Sequence, residues 1–422
     1  MRGIDPAPRF DALVADAALR QSLVAVRSLG RRGLRVAALE VEGHAEVVPT
    51  FSSRWCDQAL IAPAHDRDAS PFVEYLERWL VAHRPRVLIA SSDLTVDVVR
   101  RYRPRLDRHA RIALARDEAL AVAANKDRTL AVARALGIAV PRGVPVSGVA
   151  EVPSALRELG LPVVVKPVES WVHGAARPSV RVTCKLATTV DETMAAVDEL
   201  TRLGGVVLLQ EFLTGEREAV SLLYAGGQIH ARFAQWAKRM QPPLGGMSVF
   251  RKSIAVPHDL GDAAERLVRA IDLEGYSEVE FRRDAAGKPR LMEINARLSA
   301  SVEVAVRAGV DFPHLLYQWA SGERIARVTG YRVGRWMRFL RGDFVTTMES
   351  VAQRGRPGVA PPLRALFDFT AAFFVPSGYD YFAWNDLAPG WTAARDFGRL
   401  AVRYVIHTSF KRAPGPVPTT AR

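Results

Sequence analysis

Apolar and polar positions along the 422-residue chain fall into short, punctuated runs. Asp11 to Asp16 (DALVAD) reads as a strand, Leu19 to Leu29 as an amphipathic helix stopped by Gly30, and Leu34 to Leu39 as a second strand. This βαβ opening predicts a parallel sheet with right-handed crossovers. Its first turn carries DAALRQS in place of a GxGxxG loop, which argues against a dinucleotide site. Phe72 to His83 reads as a helix and Val87 to Ala90 as a buried strand, with the first domain ending near Leu120. Ser91, Ser92 and Asp93 follow that strand, where open α/β sheets place ligands; a plain helix N-cap is the competing reading.

A new unit starts at Asn125-Lys126-Asp127, which opens a helix closed by Gly137. Leu161 to Lys166 (LPVVVK) is a strand with a lysine at its tip, and surface snorkelling is the alternative use of that lysine. Ser170 to Ser179 (SWVHGAARPS) is read as a loop able to fold over phosphates, followed by a strand from Val180 to Cys184. Thr188 to Leu203 is a helix and Val206 to Gln210 a strand that leaves through Glu211-Phe212-Leu213, whose backbone suits an adenine edge. Glu218, seven residues beyond Glu211, is placed for a ribose. Pro242 to Ser248 (PPLGGMS) is a second candidate closing loop, with Arg251 just beyond it.

The densest chemistry lies in Ser277 to Arg283 (SEVEFRR) and Leu291 to Ile294, two alternating runs joined by a turn at Asp284–Lys288. If they pair, Glu280 lies across from Glu293, and Asn295 shares the face of Glu293 because side chains two apart on a strand point the same way. Two carboxylates and an amide oxygen are hard ligands that suit magnesium. A solvated acidic hairpin is the bland alternative.

Composition narrows the classes. Hydrophobic residues make up 49% and charged residues 24%, which indicates a globular chain of two or three domains. Two cysteines, Cys56 and Cys184, without CxxC spacing speak against a disulfide framework and fit a cytoplasmic protein. The beginning, MRGIDPAPRF, has no apolar core of a signal peptide, and no run reaches the length of a bilayer span. The net charge of +13 is carried almost entirely by dispersed arginine, with neither a basic stripe nor a nucleic-acid module, so no nucleic-acid partner is expected.

Taken in order, NKDRTLAVARALGIAVP, VVVKP, QEFLTGERE and MEINARLSAS followed by AGVDFP resemble the ATP-grasp superfamily, most closely its carbamoyl-phosphate-synthase-type and amino-acid-ligase-type members. The likeness spans about Asp11 to Gly322. Within the superfamily, the short first domain, the GGMS loop and the long tail resemble predicted carboligases related to D-aspartate ligase.

The resemblance implies α/β and α+β architecture. A Rossmann-like domain (residues 1–120) would precede a two-subdomain ATP-grasp fold, one subdomain carrying the phosphate-covering loop (121–204) and one the metal site (205–330). A helical, aromatic-rich extension (331–422) would follow. The cofactors implied are ATP and Mg2+, two ions, with Mn2+ as the alternative metal. Lys126 and Lys166 match the lysines that hold nucleotide phosphates. Gln210 to Leu213 match the adenine hinge, Glu218 the ribose acid, and Glu280, Glu293 and Asn295 the metal ligands. Arg297 matches the arginine that faces the transferred phosphoryl group; with Lys166 it forms the catalytic pair. Ser92, Asp93, Arg251 and Ser299 are candidates for holding the substrate. The implied activity joins a small carboxylate to an amine through an acylphosphate. A phosphotransferase that stops before the amide, and an inactive nucleotide-binding regulator, are the alternatives. In the tail, Arg335 to Phe339, Phe367 to Phe374 and Tyr379 to Trp384 are aromatic clusters amid arginines. They read either as a helical appendage packed on the core or as a surface for a membrane or partner protein.

Overall fold

A computed structural model describes residues 10–167, 171–172, 180–181, 184–202 and 206–410. The first unit is a five-stranded, all-parallel sheet. It comprises β1 (Ala12–Ala15), β2 (Val36–Val41), β3 (Gln58–Ala62), β4 (Val87–Ile89) and β5 (Arg111–Ile112), in the order β3-β2-β1-β4-β5. The order reverses between β1 and β4, and there the helix α1 (Arg20–Gly30) leaves β1. Helix α2 (Ser70–His83) flanks the sheet, and α3 (Asp93–Arg101), which starts directly beyond β4, reaches the site described below through Asp93. The expected strands and helices of this opening are present within one or two residues.

After α4 (Arg103–Leu106), α5 (Asp117–Ala123) and α6 (Lys126–Ala135) comes a four-stranded antiparallel sheet. It contains β6 (Gly143–Val146), β7 (Val163–Pro167), β10 (Lys185–Ala187) and β11 (Val207–Glu211), ordered β10-β7-β11-β6. Helices α7 (Val152–Leu159) and α8 (Val190–Arg202) cover one face, where Val163, Val165, Val207 and Leu209 pack with Val152, Ala155 and Val197. A small hairpin, β8 (Trp171–Val172) with β9 (Val180–Arg181), leaves the end of β7. Most of the expected phosphate-covering loop, Ser170 to Ser179, lies outside the described residues.

The third unit is a seven-stranded sheet ordered β16-β15-β12-β13-β14-β17-β18. Its long hairpins are β12 (Arg217–Ala225), β13 (Gln228–Gln241) and β14 (Met247–Ile254), then, after α9 (His258–Ala270), β15 (Gly275–Arg283) and β16 (Pro289–Asn295). Helices α10 (Glu303–Ala308) and α11 (Phe312–Ser321) follow. One continuous core joins this sheet to the parallel one: Val220, Leu222, Val279, Phe281 and Leu291 pack in the same cluster as Leu13, Leu39 and Phe72.

The tail adds two short strands to the expected helices. It supplies β17 (Trp336–Arg338), antiparallel to β14, and, past α12 (Leu340–Ala352) and α13 (Pro362–Ala371), β18 (Ser377–Tyr379), parallel to β17. Helix α14 (Ala388–Phe410) ends the described chain. Trp336 stacks on Phe250 with ring centroids 4.5 Å apart, so the first aromatic cluster belongs to the core. Buried ion pairs lock the tail in place. Asp380 pairs with both Arg20 and Arg251, and Asp386 accepts from Arg27 Nε at 2.8 Å. Arg20 and Arg27 are seven residues apart on α1, two turns along one face, which matches two aspartates held on one extended segment.

Candidate active site

Strand register brings the acids together. Glu280 on β15 stands directly opposite Glu293 on β16, and Glu278 opposite Asn295. On an uninterrupted strand Leu291 and Glu293 would share a face, since they are two residues apart. An extra residue, Met292, bulges out where the register shifts between Glu280 and Phe281. The bulge lets Leu291 enter the core with Phe281 while Glu293 and Asn295 keep the opposite face. Asn295 Nδ2 donates to Glu280 Oε1 at 3.2 Å, so the three candidate ligands form one cluster.

The four-stranded sheet contributes cations. Lys166 pairs with Leu208 across β7 and β11, and both lie on the face away from α7 and α8, as does Gln210. Lys166 is buried, and that burial lowers its pKa below the ordinary lysine range, with Cys184 and Glu293 opposing and Lys126 adding to the fall. Lys126 is the first residue of α6, whose N-cap Asn125 accepts from Arg128 N at 3.0 Å. The fields of Lys126, Arg217 and Lys166 outweigh the burial of Glu293 and hold its carboxyl below the usual carboxylate range. Glu280 behaves oppositely. Burial, with Glu293 and Glu278 adding repulsion, pushes it up to about 7 despite the Arg217 guanidinium.

Arg217 was not among the expected site residues, yet it reaches the centre. It forms an ion pair with Glu280 and donates to the carbonyl of Gly246 in the 242–248 loop. Gly246 has φ of +102°, and a Cβ there would stand 2.4 Å from the Gln241 carbonyl, so this turn requires glycine. Arg282, directly opposite Arg217, donates to the carbonyls of Gly215 and Leu244 at 3.1 Å each. Two arginines on the acid-bearing face therefore tie the 242–248 loop to the sheet.

Glu218 lies elsewhere. Its pairing with Phe281 and Trp236 places it on the face of Val220 and Leu222, across the sheet from Glu280, and its carboxylate accepts from Arg283 Nε at 2.6 Å. Arg217, one residue earlier, stands on the acid-bearing face instead, because adjacent strand residues face opposite ways. Glu211 also turns its side chain away: Oε2 accepts from Arg142 Nε at 2.9 Å, and its N–H donates to the Arg142 carbonyl. Only the backbone from Glu211 to Leu213 remains on offer at this hinge. Leu213 is buried, and the Phe212 ring lies under Arg282 and beside Gly358. Gln210 is 1% exposed, and neither its amide oxygen nor its amide nitrogen has a partner among the described residues. A buried amide with both ends unsatisfied is costly unless something fills the space before it.

Arg297 follows β16 and donates to both carboxylate oxygens of Asp93, at 2.5 and 2.9 Å. Asp93 outweighs burial and raises the guanidinium pKa, which fixes it as a cation. Asp93 is the first residue of α3, so the parallel sheet positions an arginine of the acid hairpin. Ser92 resolves to its bland reading: it caps α3, with Oγ accepting from Thr95 N at 3.1 Å and donating to Asp16 at 2.8 Å. Arg251 is buried completely and committed to Asp380. Ser299 Oγ donates to Glu278 Oε2 at 2.9 Å, within a buried network that also brings Ser301, Ser221 and Gln235 to that oxygen. Neither Arg251 nor Ser299 is therefore open to a ligand. Glu278 was legible in SEVEF, two residues before Glu280 and so on the same face, but its serine and glutamine donors come from three other segments.

Residues 205–337 match the family described as ATP-grasp in the biosynthetic pathway with Ter operon. The D-alanine–D-alanine ligase of Chromohalobacter salexigens is 28% identical over 218 residues, 47% of this chain and 64% of that one. The ligase of the same name from Ectopseudomonas mendocina is 26% identical over 211 residues, with the same coverage. The chain thus spans just under two thirds of the length of these relatives. Among solved structures, the biotin carboxylase domain of Hydrogenobacter thermophilus 2-oxoglutarate carboxylase, in complex with MgADP, superposes with a TM-score of 0.62 at 14% identity, covering 78% of this chain and 74% of that one. The L-amino acid ligase of Bacillus licheniformis gives 0.57 at 16%, covering 74% and 75%. The acid hairpin lies inside the matched segment, and the family match, the D-alanine–D-alanine ligase relatives and the shared fold together support an ATP-grasp superfamily member.

Proposed function

We propose that the protein is an ATP-dependent carboxylate–amine ligase that activates a small carboxylic acid as its acylphosphate and passes the acyl group to an amine. The observation that carries this reading is the register of Glu280 against Glu293, with Asn295 beside them and Lys126 and Lys166 acting on Glu293. Among the described residues no three His, Cys, Asp or Glu side chains converge as a metal cage. Two carboxylates and an amide oxygen are a sparse donor set, which fits a hard cation that completes its shell with phosphate oxygens and water. Glu280, Glu293 and Asn295 would hold Mg2+, which when bound neutralises charge on the nucleotide phosphates.

The chain's own residues divide the remaining work. Gln210, with both amide ends unsatisfied, and the backbone after Glu211 are suited to the two-sided hydrogen-bonding edge of adenine. Lys166 and Lys126 would neutralise phosphate oxygens. Arg297, held by Asp93, presents a fixed positive charge where the phosphoryl group passes to the acid. Arg217 balances Glu280 when no cation is there and anchors the 242–248 loop, which would exclude water from the acylphosphate. No protein nucleophile is needed, because the substrate carboxylate attacks phosphorus and the amine then attacks the acyl carbon.

The test is a screen of paired amino acids and small carboxylates for release of ADP and phosphate. Activity should require both an acid and an amine. ADP release with a phosphorylated product and no free phosphate would replace this reading with simple phosphotransfer. Glu293→Ala should abolish Mg-dependent turnover and leave the circular-dichroism spectrum intact; unchanged turnover would remove the metal assignment.

A further inference from the structure

Helix α13 and the single 3-10 turn that continues it, Ala372–Phe374, carry two apolar faces. One packs inward through Ala365, Phe369 and Ala372, with Phe369 against Phe344 and Phe373. The other points outward. Leu363, Leu366, Phe367 and Phe374 follow the helical i, i+3, i+4, i+11 spacing, and Leu363 is 83%, Phe367 69% and Phe374 89% exposed. Farther along, Trp384 and Trp391 are 84% and 68% exposed. Folding buries the first tail cluster around Trp336, so this outward face is a separate feature. Large exposed apolar faces mark contact surfaces.

The charges of the same stretch of chain say what it meets. Between residues 354 and 401 the exposed ions are all cations: Arg354, Arg364, Arg395 and Arg399. The four acids of that stretch are buried or half-buried. Asp380 and Asp386 are consumed by Arg20, Arg251 and Arg27, Asp396 lies 3.4 Å from Arg341, and Asp368 lies 3.8 Å from Arg364. Exposed phenylalanine and leucine that share one stretch of chain with exposed arginines and tryptophans match the composition of the boundary between lipid head groups and acyl chains. Among the described residues no helix is long and apolar enough to cross a membrane, so the contact would be peripheral.

We infer that the tail docks the protein on an anionic phospholipid surface, with α13 lying in the head-group plane. The surface lies outside the acid hairpin, so it stands or falls independently of the ligase reading. The full-length chain is sedimented with vesicles of phosphatidylcholine alone and of phosphatidylcholine mixed with phosphatidylglycerol. Binding is expected only to the mixture and should weaken as sodium chloride is raised, since salt screens the arginines. Combined Leu363→Ser, Phe367→Ser and Phe374→Ser should lower partitioning by about a hundredfold or more, and combined Arg364→Glu, Arg395→Glu and Arg399→Glu by about tenfold or more. Because these side chains are exposed, both variants should keep the parent's thermal melt. Lipids brominated on the acyl chain should quench fluorescence in the parent and fail to do so in Trp384→Phe/Trp391→Phe. Three results would overturn the assignment: no binding to the mixed vesicles, equal binding by the serine variant, or a concentration-dependent dimer abolished by those serines, which would give the face to a second copy.

Discussion

Asp93→Asn tests whether the parallel sheet takes part in chemistry. The side chain is nearly isosteric, so what changes is the charge and one of the two hydrogen bonds that grip Arg297 at 2.5 and 2.9 Å. A charge-assisted hydrogen bond contributes about 1.5–3 kcal/mol. Asp93 is 38% exposed and Arg297 16%, so water replaces part of what is lost and the lower half of that range applies. At 1.36 kcal/mol per factor of ten, kcat should fall about tenfold to fortyfold. The loss belongs in kcat, because Arg297 is read as facing the moving phosphoryl group while Lys126, Lys166 and Gln210 are read as holding the nucleotide. The assay is steady-state ADP release at varied ATP with the best acid and amine, alongside calorimetric titration of Mg-ADP. Affinity for Mg-ADP within threefold of the parent, together with the kcat loss, is the expected pattern. A kcat within twofold of the parent would refute the claim that Asp93 positions a catalytic arginine.

Glu280 should make nucleotide binding pH-dependent. Its pKa is raised from 4.5 to about 7, so the folded chain holds an extra proton between those values. In the metal-free protein this group therefore contributes stability at low pH that is lost as pH rises through 7, roughly 3 kcal/mol in all. Because the cation needs the carboxylate, affinity for Mg-ADP should rise up to about tenfold per pH unit below 7 and level off above; a flat profile from pH 5 to 8 would contradict it. Asp380→Asn leaves Arg20 and Arg251 buried without their shared carboxylate and should cost about 3–5 kcal/mol in urea unfolding, whereas a loss below about 1 kcal/mol would mean that the tail is not locked by charge. The carboxyl of Asp380 is buried, but Arg251 and Arg20 hold it below its ordinary range, so its contribution is present above pH 4 and disappears as pH falls through the depressed value. Gln210→Leu should weaken ATP binding about tenfold while raising the stability of the nucleotide-free protein, because it removes two buried groups without partners; unchanged ATP affinity would take Gln210 out of the site.

Much of this architecture was legible in local pattern. Period-two runs at Ser277–Arg283 and Leu291–Ile294, separated by a turn, were enough to pair the two strands, but the turn's own register would set Glu280 against Met292, and only the bulge brings Glu293 opposite it. The lysine on LPVVVK and the helix opened by Asn125 could be placed because capping and alternation act within a few residues. The alternation did not fix its own phase at the start of β12. Choosing Glu218 over Arg217 for the cleft is a shift of one residue, and only the pairing of Glu218 with Phe281 and of Arg217 with Arg282 decides it. Nor did it announce the bulge at Met292, which separates Leu291 from Glu293 so that one enters the core and the other meets the lysines.

What the sequence by itself determined was the succession of elements and the chemistry each one carries, since both depend on neighbours along the chain. What the tertiary structure alone decided was which charges meet. Arg20 lies 360 residues from Asp380, Asp93 lies 204 from Arg297, and Arg217 lies 63 from Glu280. An ion pair between distant segments leaves no periodicity behind it, so folding had to bring the partners together before the tail could be seen as part of the sheet and Asp93 as the partner of Arg297.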